Sequence, residues 1–435
     1  MRKIIKMTLM IVLVLVVTIS MFACNINTTV SSKTHALNNV SYSPNQYITL
    51  ENETSTKMTK SAYHIFDILR EEYEKEEKNF VVSPLSIYMA FSLLDYIGDE
   101  ETKKEVSEFL NLSEEDIKNS KEIFDYLVKT RKDDAKKVIS QVSLTNSIWM
   151  DKDQGFTYNQ DMLDEMAELL YCYAYETPFS NNNKAANDDI RKFVKKNTNG
   201  LIDRDFELPA STLFALINTL YFKDNWNNKG SELNSEEKKF YQGVKELLCE
   251  FLISNYVYGV AVEDEIASSM YATTSFGYRI TFVVPKDGHA LTEAMESKYL
   301  YNLTTMSHTK SFDETKEHHY TRTLFPLFNV STSMDMMDVL ASKNMFNHTF
   351  SAYKSNLVDT DLQVSKIIHD AVLKVDKKGI EGAAVTIIAN KATSAGPDEM
   401  EDIYHDFLVD KPFGFILSTY DGIVLFMGEI NNPLE

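Results

Sequence analysis

The order of hydrophobic patterns along this 435-residue chain constrains its fold more than any other feature. Apolar residues recur every three or four positions in the first half, whereas short runs of β-branched and aromatic residues dominate the second half. The helices that we predict lie at 58–73, 84–98, 102–110, 114–130, 159–170, 184–197, 291–301 and 334–340. The predicted strands include 142–150, 171–178, 251–260, 269–271, 278–285 and 322–331. Because no βαβ alternation appears, we predict an α+β fold with several sheets in one domain.

Three stretches position the centre of this fold. The run TLFALINTLYFKDNW at 212–226 is apolar on both alternating faces, so we predict a central strand covered on both sides. In NFVVSPLSIYMAFSLLDYIG at 79–98, a short strand precedes a buried helix, with Ser83 as its cap and Pro84 in its first turn. The chain closes with two strands joined by a hairpin turn at 420–422.

Composition and charge exclude several functional classes. The chain has 44 Lys and Arg against 64 Asp and Glu, a net charge of −20, and 44% hydrophobic residues. These values are typical of a globular protein with a sizeable core. No basic stripe with interleaved aromatics offsets the negative charge, so we do not expect a nucleic acid partner.

The N-terminus predicts export. Basic residues precede an apolar run at 7–22, which is typical of a signal peptide over 1–23 and is short for a membrane span. Cys24 ends the sequence MFAC, which resembles the lipobox of a bacterial lipoprotein, so the alternatives are lipidation at Cys24 and simple secretion. Residues 24–57 are rich in Asn, Ser and Thr and predict a solvated, lipidated tether before a domain at 58–435.

Catalytic and cofactor motifs are absent from the sequence. It contains no G-x-S-x-G, H-E-x-x-H or Gly-rich phosphate loop, so we expect no cofactor and no metal. His318 and His319 are adjacent among charged residues, which favours a solvated loop over a metal site. Cys172 and Cys249 lie in no metal-ligand spacing and predict buried or free thiols.

Four polar residues lie in apolar runs: Ser83, Ser86, Asn218 and His369. One interpretation pairs His369 with a serine and an acid as a hydrolase triad. The other is a buried polar network, because polar groups in a core must find partners. Both interpretations stay open on these residues alone.

The segment GIEGAAVTIIANKATSAG at 379–396 alternates like a strand and then becomes a polar loop. Such a segment is an aggregation hazard unless it pairs with a sheet. If it forms a strand, one face carries no charge, and Glu381 and Lys391 lie on the other. That uncharged face is Ile380, Gly382, Ala384, Thr386, Ile388, Asn390 and Ala392. The pattern does not distinguish a strand that inserts from one that is always in place.

Four stretches, in order, resemble the serpin family. They are NFVVSPLSIYMAFSLL, LINTLYFKDNW, SKIIHDAVLKVDKKGIEGAA and DKPFGFILSTYDGIVLFMGEINNP. The resemblance covers residue 58 to the end. It implies one α+β domain with three sheets, about nine helices and an exposed reactive-centre loop. It also implies suicide inhibition of proteases by insertion of the cut loop into a sheet.

The resemblance assigns roles to individual residues. Ser83, Ser86, Asn218 and His369 match the buried polar cluster called the shutter, and Trp226 matches the breach, where the loop enters the sheet. Gly379, Ile380, Glu381, Gly382, Ala383 and Ala384 match the hinge. The chain departs from the family pattern in four ways. Lys377 stands for Glu, Ile380 for Thr or Ser, Gly382 for Ala, and Gly414 for an apolar residue.

The family's spacing counted from Gly379 predicts Thr393–Ser394 as the reactive bond. The inserted strand would then have about 15 residues, which at roughly 3.3 Å each span on the order of 50 Å. The reactive-centre loop is longer than is usual in the family, and the surplus is assigned to AGPDEMEDIYHD at 395–406. Thr393 suits a subtilisin- or elastase-like protease. If the register slips by two residues, Lys391 suits a trypsin-like one.

The resemblance therefore predicts a monomeric, exported bacterial inhibitor of extracellular serine proteases, with cysteine proteases as a second class of target. It touches a membrane only through its lipid. The alternatives are a non-inhibitory serpin that binds or carries a ligand and, on the triad interpretation, a hydrolase.

Overall fold

The computed structural model describes residues 33–41, 48–74, 78–132, 136–228, 231–305, 317–351, 353–381 and 401–435. The α-helices in these ranges are α1 (Asn52–Glu74), α2 (Pro84–Ile97), α3 (Glu100–Leu110), α4 (Glu114–Lys118), α5 (Ser120–Leu127), α6 (Gln160–Leu169), α7 (Asn183–Asn197), α8 (Leu291–Ala294), α9 (Ser297–Thr305) and α10 (Met336–Ser342).

The first ten strands are β1 (His35–Ala36), β2 (Phe80–Val82), β3 (Lys129–Lys132), β4 (Val138–Asp151), β5 (Cys172–Thr177), β6 (Phe214–Asn225), β7 (Asn234–Gln242), β8 (Lys245–Ile253), β9 (Val257–Tyr258) and β10 (Val262–Glu263). The later strands are β11 (Ala267–Thr273), β12 (Arg279–Pro285), β13 (Glu317–Pro326), β14 (Phe328–Asp335), β15 (Tyr353–Lys354), β16 (Asp361–Leu362), β17 (Lys366–Val375), β18 (Gly379–Ile380), β19 (Glu401–Leu408), β20 (Phe413–Ser418) and β21 (Val424–Ile430).

Three large sheets organise the described residues. The first has eight strands in the order β1-β5-β4-β6-β18-β17-β14, with β3 paired to β4. The second has the order β10-β11-β12-β20-β21-β2, and the third the order β19-β13-β8-β7, with β9 paired to β13. Together with ten α-helices in these ranges, this arrangement confirms the predicted α+β fold.

Helix α2 lies between the first two sheets, where it contacts β6 and β21. Thirteen of its 14 residues are buried, from Pro84 through Ile97 with the exception of Tyr96. The Ser83 hydroxyl accepts a hydrogen bond from the Ser86 N–H at 3.2 Å, and Pro84 occupies the first turn. The predicted cap is therefore confirmed, and it fixes the start of α2 directly beneath β6.

Strand β6 is the central strand of the eight-stranded sheet, as its uninterrupted apolar run predicts. It pairs along its length with β4, from Met150↔Phe214 to Ser140↔Asp224. All but one of its 12 residues are buried. The predicted central strand covered on both faces is therefore confirmed.

The single helix predicted at 114–130 is two helices, and the prediction is wrong at its end, because α5 ends at Leu127. Asn119 separates α4 from α5, because it ends one helix and begins the other. Residues 129–132 instead form β3, which pairs antiparallel with β4. Local periodicity favoured a helix there, and pairing with an existing strand edge overrides it.

The segment 24–57 is also more ordered than a solvated tether where the structure describes it. Strand β1 pairs with β5, and the Asn38 side chain bonds the carbonyls of Leu163 and Cys172. Helix α1 begins at Asn52, ahead of the predicted boundary at residue 58. Asn38 is held by hydrogen bonds to backbone carbonyls, an interaction that leaves no hydrophobic period in the sequence.

Two further expectations need correction. His318 and His319 lie in β13 and not in a solvated loop. Residues 401–406, part of the predicted loop surplus, form β19, which pairs in parallel with β13 from Glu317↔Glu401 to Leu324↔Leu408.

Cys172 and Cys249 are both buried free thiols, as predicted. Among the described helices, none has the length and apolar character that a membrane crossing needs.

Candidate functional site

The end of β17 positions the candidate site. The chain reverses in a turn after Val375, and β18 then runs back between β17 and β6. The Asp376 N–H donates to the Gly379 carbonyl at 3.0 Å, and the Asp376 carboxylate accepts from the N–H of Lys378 at 2.8 Å. This turn delivers the chain into the eight-stranded sheet at one end of the β6–β17 pair.

At the opposite end of this pair, β6 and β17 contact each other directly. Their register runs from Lys366↔Ala215 to Ile368↔Ile217. Between this end and β18, residues 218–223 of β6 pair with β4 on one side and with no described strand on the other. The two strands thus bracket an interval in which their facing edges are not paired to each other.

Gly379 approaches the backbone of β6 so closely that a side chain does not fit. A Cβ atom at this position would lie 2.2 Å from the carbonyl oxygen of Asp224 and 2.7 Å from the Cα of Asn225. The neighbouring Ile380 side chain is fully buried. Glycine here is required by contact with the adjacent strand and not by an unusual φ angle.

Glu381 ends the inserted stretch. Its N–H still donates to the Lys374 carbonyl at 2.9 Å, but its φ of 52° lies in the left-handed region. Its carboxylate accepts a hydrogen bond of 2.8 Å from the Tyr221 hydroxyl. Ile380 is therefore buried while Glu381 bonds a tyrosine, and extending the strand further requires Glu381 to leave its present φ.

The remaining predicted hinge residues, Gly382, Ala383 and Ala384, lie outside the described residues. So do the predicted reactive bond Thr393–Ser394 and the predicted lipidation site Cys24.

The structure brings the four predicted shutter residues together at the start of α2. The Ser83 N–H donates to Nε2 of His369 at 3.1 Å, and the Ser83 hydroxyl donates to the Leu425 carbonyl at 2.7 Å. The Ser86 hydroxyl donates to the side-chain oxygen of Asn218. Since Asn218 belongs to β6 and His369 to β17, one helix end holds both strands that flank the unpaired interval.

This geometry does not form a hydrolase triad. Nε2 of His369 accepts from a backbone N–H, and the hydroxyls of Ser83 and Ser86 bond other groups. The adjacent carboxylate, Asp370, binds the Arg204 guanidinium at 2.7 Å and 3.1 Å. Among the described residues, no serine hydroxyl forms a hydrogen bond with His369, so this cluster offers no activated nucleophile.

Burial controls the charge of His369. Its side chain is 4% exposed, and loss of solvation lowers its pKa to about 4 against a partial opposing effect from Asp370. The imidazole is therefore neutral at pH 7, which leaves Nε2 free to accept the Ser83 hydrogen bond.

Trp226, the predicted breach residue, contacts the turn that begins β18. Its indole N–H donates to the Asp376 carbonyl at 2.6 Å, and its backbone N–H donates to the Lys378 carbonyl at 3.1 Å. The ring is 1% exposed and packs edge-on against Phe325. Trp226 thus holds the turn in place through two hydrogen bonds and a buried ring.

Lys377, one of the departures from the family pattern, forms an ion pair at this turn. Its Nζ lies 2.5 Å from the carboxylate of Glu250, and Lys377 holds the pKa of Glu250 below its ordinary value. Both side chains are about two-fifths exposed (38% and 43%), so the pair adds little stability. The lysine is nonetheless accommodated without an unpaired charge.

Sequence reasoning missed two residues of this site. Asn146 on β4 accepts a 2.6 Å hydrogen bond from Asn218 and extends the polar cluster. Asp224, opposite Ile380 in register, accepts from the Thr274 hydroxyl at 2.6 Å, and burial raises its pKa to about 7. The sequence signal that could have indicated both residues is a polar residue inside an apolar strand.

No described group of three or more His, Cys, Asp or Glu side chains has the geometry of a metal site. His319 instead stacks on His405, with their ring nitrogens 2.9 Å apart. The described site contains strand edges that are not paired to each other, buried hydrogen bonds and the turn that leads into β18.

Comparison with known proteins identifies the family. A sequence model described as "Serpin (serine protease inhibitor)" matches residues 57–433. The chain therefore belongs to the serpin family, whose members are in general protease inhibitors and not enzymes. Neuroserpin of Homo sapiens is 27% identical over 376 residues, which cover 82% of this chain and 87% of that protein. Iripin-1 of Ixodes ricinus is 28% identical over 378 residues, with 82% and 89% covered.

Solved structures share the fold. Serpin48 of the insect Tenebrio molitor superimposes with a TM-score of 0.69 at 18% identity, covering 88% of this chain and 98% of that one. The native state of tengpin, a thermophilic serpin, gives 0.69 at 19% identity, with 92% and 100% covered. Thyroxine-binding globulin in complex with thyroxine gives 0.68 at 20% identity, with 88% and 100% covered.

The buried histidine makes stability depend on pH. The folded pKa of about 4 lies below the ordinary value of 6.5, so only the unfolded chain takes up the proton as the pH falls between them. His369 thus contributes stability that is complete above pH 6.5 and is lost toward pH 4. We expect a loss of about 2–3 kcal/mol between pH 7 and pH 4.5, measured by urea unfolding.

The His369→Gln variant keeps an acceptor without this titration and should lose that part of the slope. His35→Gln, on the exposed strand β1, should keep the slope of the parent protein. An unchanged slope in His369→Gln would contradict the role of His369.

Proposed function

We propose that this serpin inhibits extracellular serine proteases by a suicide mechanism. The protease cuts the loop at Thr393–Ser394, and the freed segment inserts between β6 and β17 while the protease remains attached. The observation that carries this proposal is the position of β18: Gly379 and Ile380 both pair with β6, and Ile380 also pairs with Val375 of β17.

The chemistry belongs to the target. The serine of the protease attacks the carbonyl of Thr393, an ester forms, and the new N-terminus at Ser394 leaves. Water must then hydrolyse that ester before the protease is free. Inhibition therefore requires that insertion outpace hydrolysis.

The residues of the segment support insertion. Ile380 faces the core and Glu381 bonds Tyr221, which matches the alternation derived from the sequence. If the alternation continues, the inward positions up to Ala392 are uncharged, so insertion buries no unpaired charge. The facing edges of β6 and β17 supply the backbone partners that the new strand needs.

The target class follows from the residue before the cut. Thr393, preceded by Ala392, suits subtilisin- and elastase-like proteases, which we propose as the main targets. Lys391 would direct a trypsin-like protease if the cut lies two residues earlier. Cysteine proteases are the second class, because they also pass through an acyl-enzyme.

A second candidate function is the binding or carriage of a small ligand. The observation that favours it is a cleft of about 470 Å³ between α1, α9 and the second sheet. Arg279 lies 4.7 Å and 4.2 Å from the ring centres of Tyr271 and Tyr420, which line this cleft. Among the described residues, Arg279 has no ion-pair partner, so an anionic aromatic ligand suits the cleft.

The mechanism can be tested at Ala384. This residue is assigned to the inward face, where Ala384→Arg would bury an unpaired guanidinium at a cost of several kcal/mol. We expect the variant to be cut like the parent protein but to release active protease. Denaturing gels and residual protease activity, measured over a panel of serine and cysteine proteases, distinguish a covalent complex from a simple cut.

Glu381→Arg, on the outward face, is the matched control and should still trap protease. If both variants trap protease equally, the assigned register is wrong. If the parent protein forms a covalent complex with no protease in the panel, ligand binding becomes the better account.

We also propose that residues 1–23 direct export and that Cys24 carries a lipid, as in bacterial lipoproteins, leaving the protein as a monomer on the cell surface. Cys24→Ser should move the protein from the membrane fraction to the medium, and mass spectrometry of the mature N-terminus should show the lipid disappear. Unchanged fractionation of the Cys24→Ser variant would contradict lipidation at Cys24 and leave simple secretion as the alternative.

A further inference from the structure

A small cleft beside β3 has the features of an anion site. It has a volume of about 180 Å³ and lies next to the turn between β20 and β21. Two cations line it, Lys129 and Arg131, which are two residues apart and therefore share one face of β3. Four aromatic residues complete its walls: Tyr126, Phe276, Tyr278 and Tyr420.

The two cations are held in place by aromatic rings. Nζ of Lys129 lies 4.4 Å from the ring centre of Tyr126, and the guanidinium of Arg131 lies 4.5 Å from that of Phe276. Such contacts orient a cation without neutralising it. The Arg131 side chain also hydrogen-bonds Tyr278 in the cleft wall, which occupies part of its five-donor guanidinium. Its other N–H groups and the Lys129 ammonium can donate to an acceptor in the cleft.

Neither cation has a carboxylate in ion-pair contact among the described residues. Two acids interact electrostatically with them: Asp421, which bonds the Thr419 hydroxyl, acts on Lys129, and Asp224, which is buried and bonds Thr274, acts on Arg131. Burial, together with repulsion from Arg131, lowers the pKa of Lys129 despite Asp421. The positive charge of Lys129 and Arg131 is thus not neutralised by an ion pair, which is unusual in a chain whose net charge is −20.

Lysines in the larger cleft near α8 provide a contrast. That cleft has a volume of about 780 Å³, and its lysines include Lys286 and Lys411. Lys286 pairs with Glu263 at 3.2 Å, and Lys411 pairs with Asp287 at 2.8 Å. There the protein supplies the negative charge itself, and at Lys129 and Arg131 it does not.

We propose that the cleft beside β3 binds a phosphate or sulfate group through Lys129 and Arg131. The planar guanidinium donates to two oxygens at once, and the ammonium adds a point charge. The volume accommodates a tetrahedral oxyanion, and the rings of Tyr278 and Tyr420 suit a planar group esterified to it. The ligand is therefore a free oxyanion or a small aromatic monoester, and the inference does not depend on protease inhibition.

Calorimetric titration of the full-length protein with sodium sulfate, sodium phosphate and phenyl phosphate tests this site. Ionic strength is kept equal with sodium chloride at pH 7. We expect saturable binding of sulfate and phosphate at one site, weakened at least tenfold in Lys129→Gln and in Arg131→Gln. Tighter binding of phenyl phosphate would identify a monoester as the natural class, and equal binding would identify the free ion.

The controls separate the site from general salt effects and from misfolding. Lys132→Gln removes a cation from the exposed face of the same strand and should bind like the parent protein. Lys129→Arg keeps the charge and should also bind, while thermal unfolding in chloride verifies that each variant is folded. Absence of saturable binding by the parent, or equal loss in Lys132→Gln, would overturn the proposal.

Discussion

The incomplete pairing of β6 with β17 is the constraint on which the rest of the structure depends. Each buried backbone N–H and C=O must have a partner, and the interval at 218–223 meets this need on its β4 side alone among the described strands. The turn at 376–379 introduces β18 at one end of this interval. If the segment that follows β18 continued as a strand, it would pair with the facing edges of β6 and β17. The proposed insertion would therefore satisfy the backbone groups that the interval leaves without a partner among the described strands.

The polar cluster below this interval explains how the two strands stay in place. The start of α2 holds β6 through Ser86 and Asn218, and it holds β17 through Ser83 and His369. Because α2 is buried between two sheets, these hydrogen bonds lie in a low-dielectric environment, where an unmade bond is costly. Separation of β6 from β17 therefore has to preserve or exchange each of these bonds.

Much of this architecture was predictable because local signals agreed with tertiary packing. The cap at Ser83, the central strand β6 and the closing hairpin all have residues whose local preferences match their burial. The polar strands β7 and β19 were not predicted, because their alternation is weak and pairing with a neighbour decides their structure. The role of Asn38 was not predicted for the same reason, because hydrogen bonds to distant backbone groups leave no local sequence pattern.

Some residues of the candidate site were likewise predictable from the sequence, and others were not. Family resemblance selected Ser83, Asn218 and His369, and alternation alone assigned Ile380 to the inward face. Neither could select Asp224 or Asn146, because the partners that make them acceptable in the core come from other strands and loops. The contact between Gly379 and the backbone of β6 is likewise a tertiary fact, although a glycine before a strand-like run is visible in the sequence.

The measurement that tests the central claim most directly is the stability of the protein before and after a single cut in residues 382–400. Both fragments should remain associated, and mass spectrometry can verify the position of the cut. If the freed segment completes the eight-stranded sheet, the unfolding midpoint should rise by about 10 °C or more, since each degree is worth roughly 0.8 kcal/mol for a domain of this size. An unchanged or lower midpoint would contradict insertion between β6 and β17.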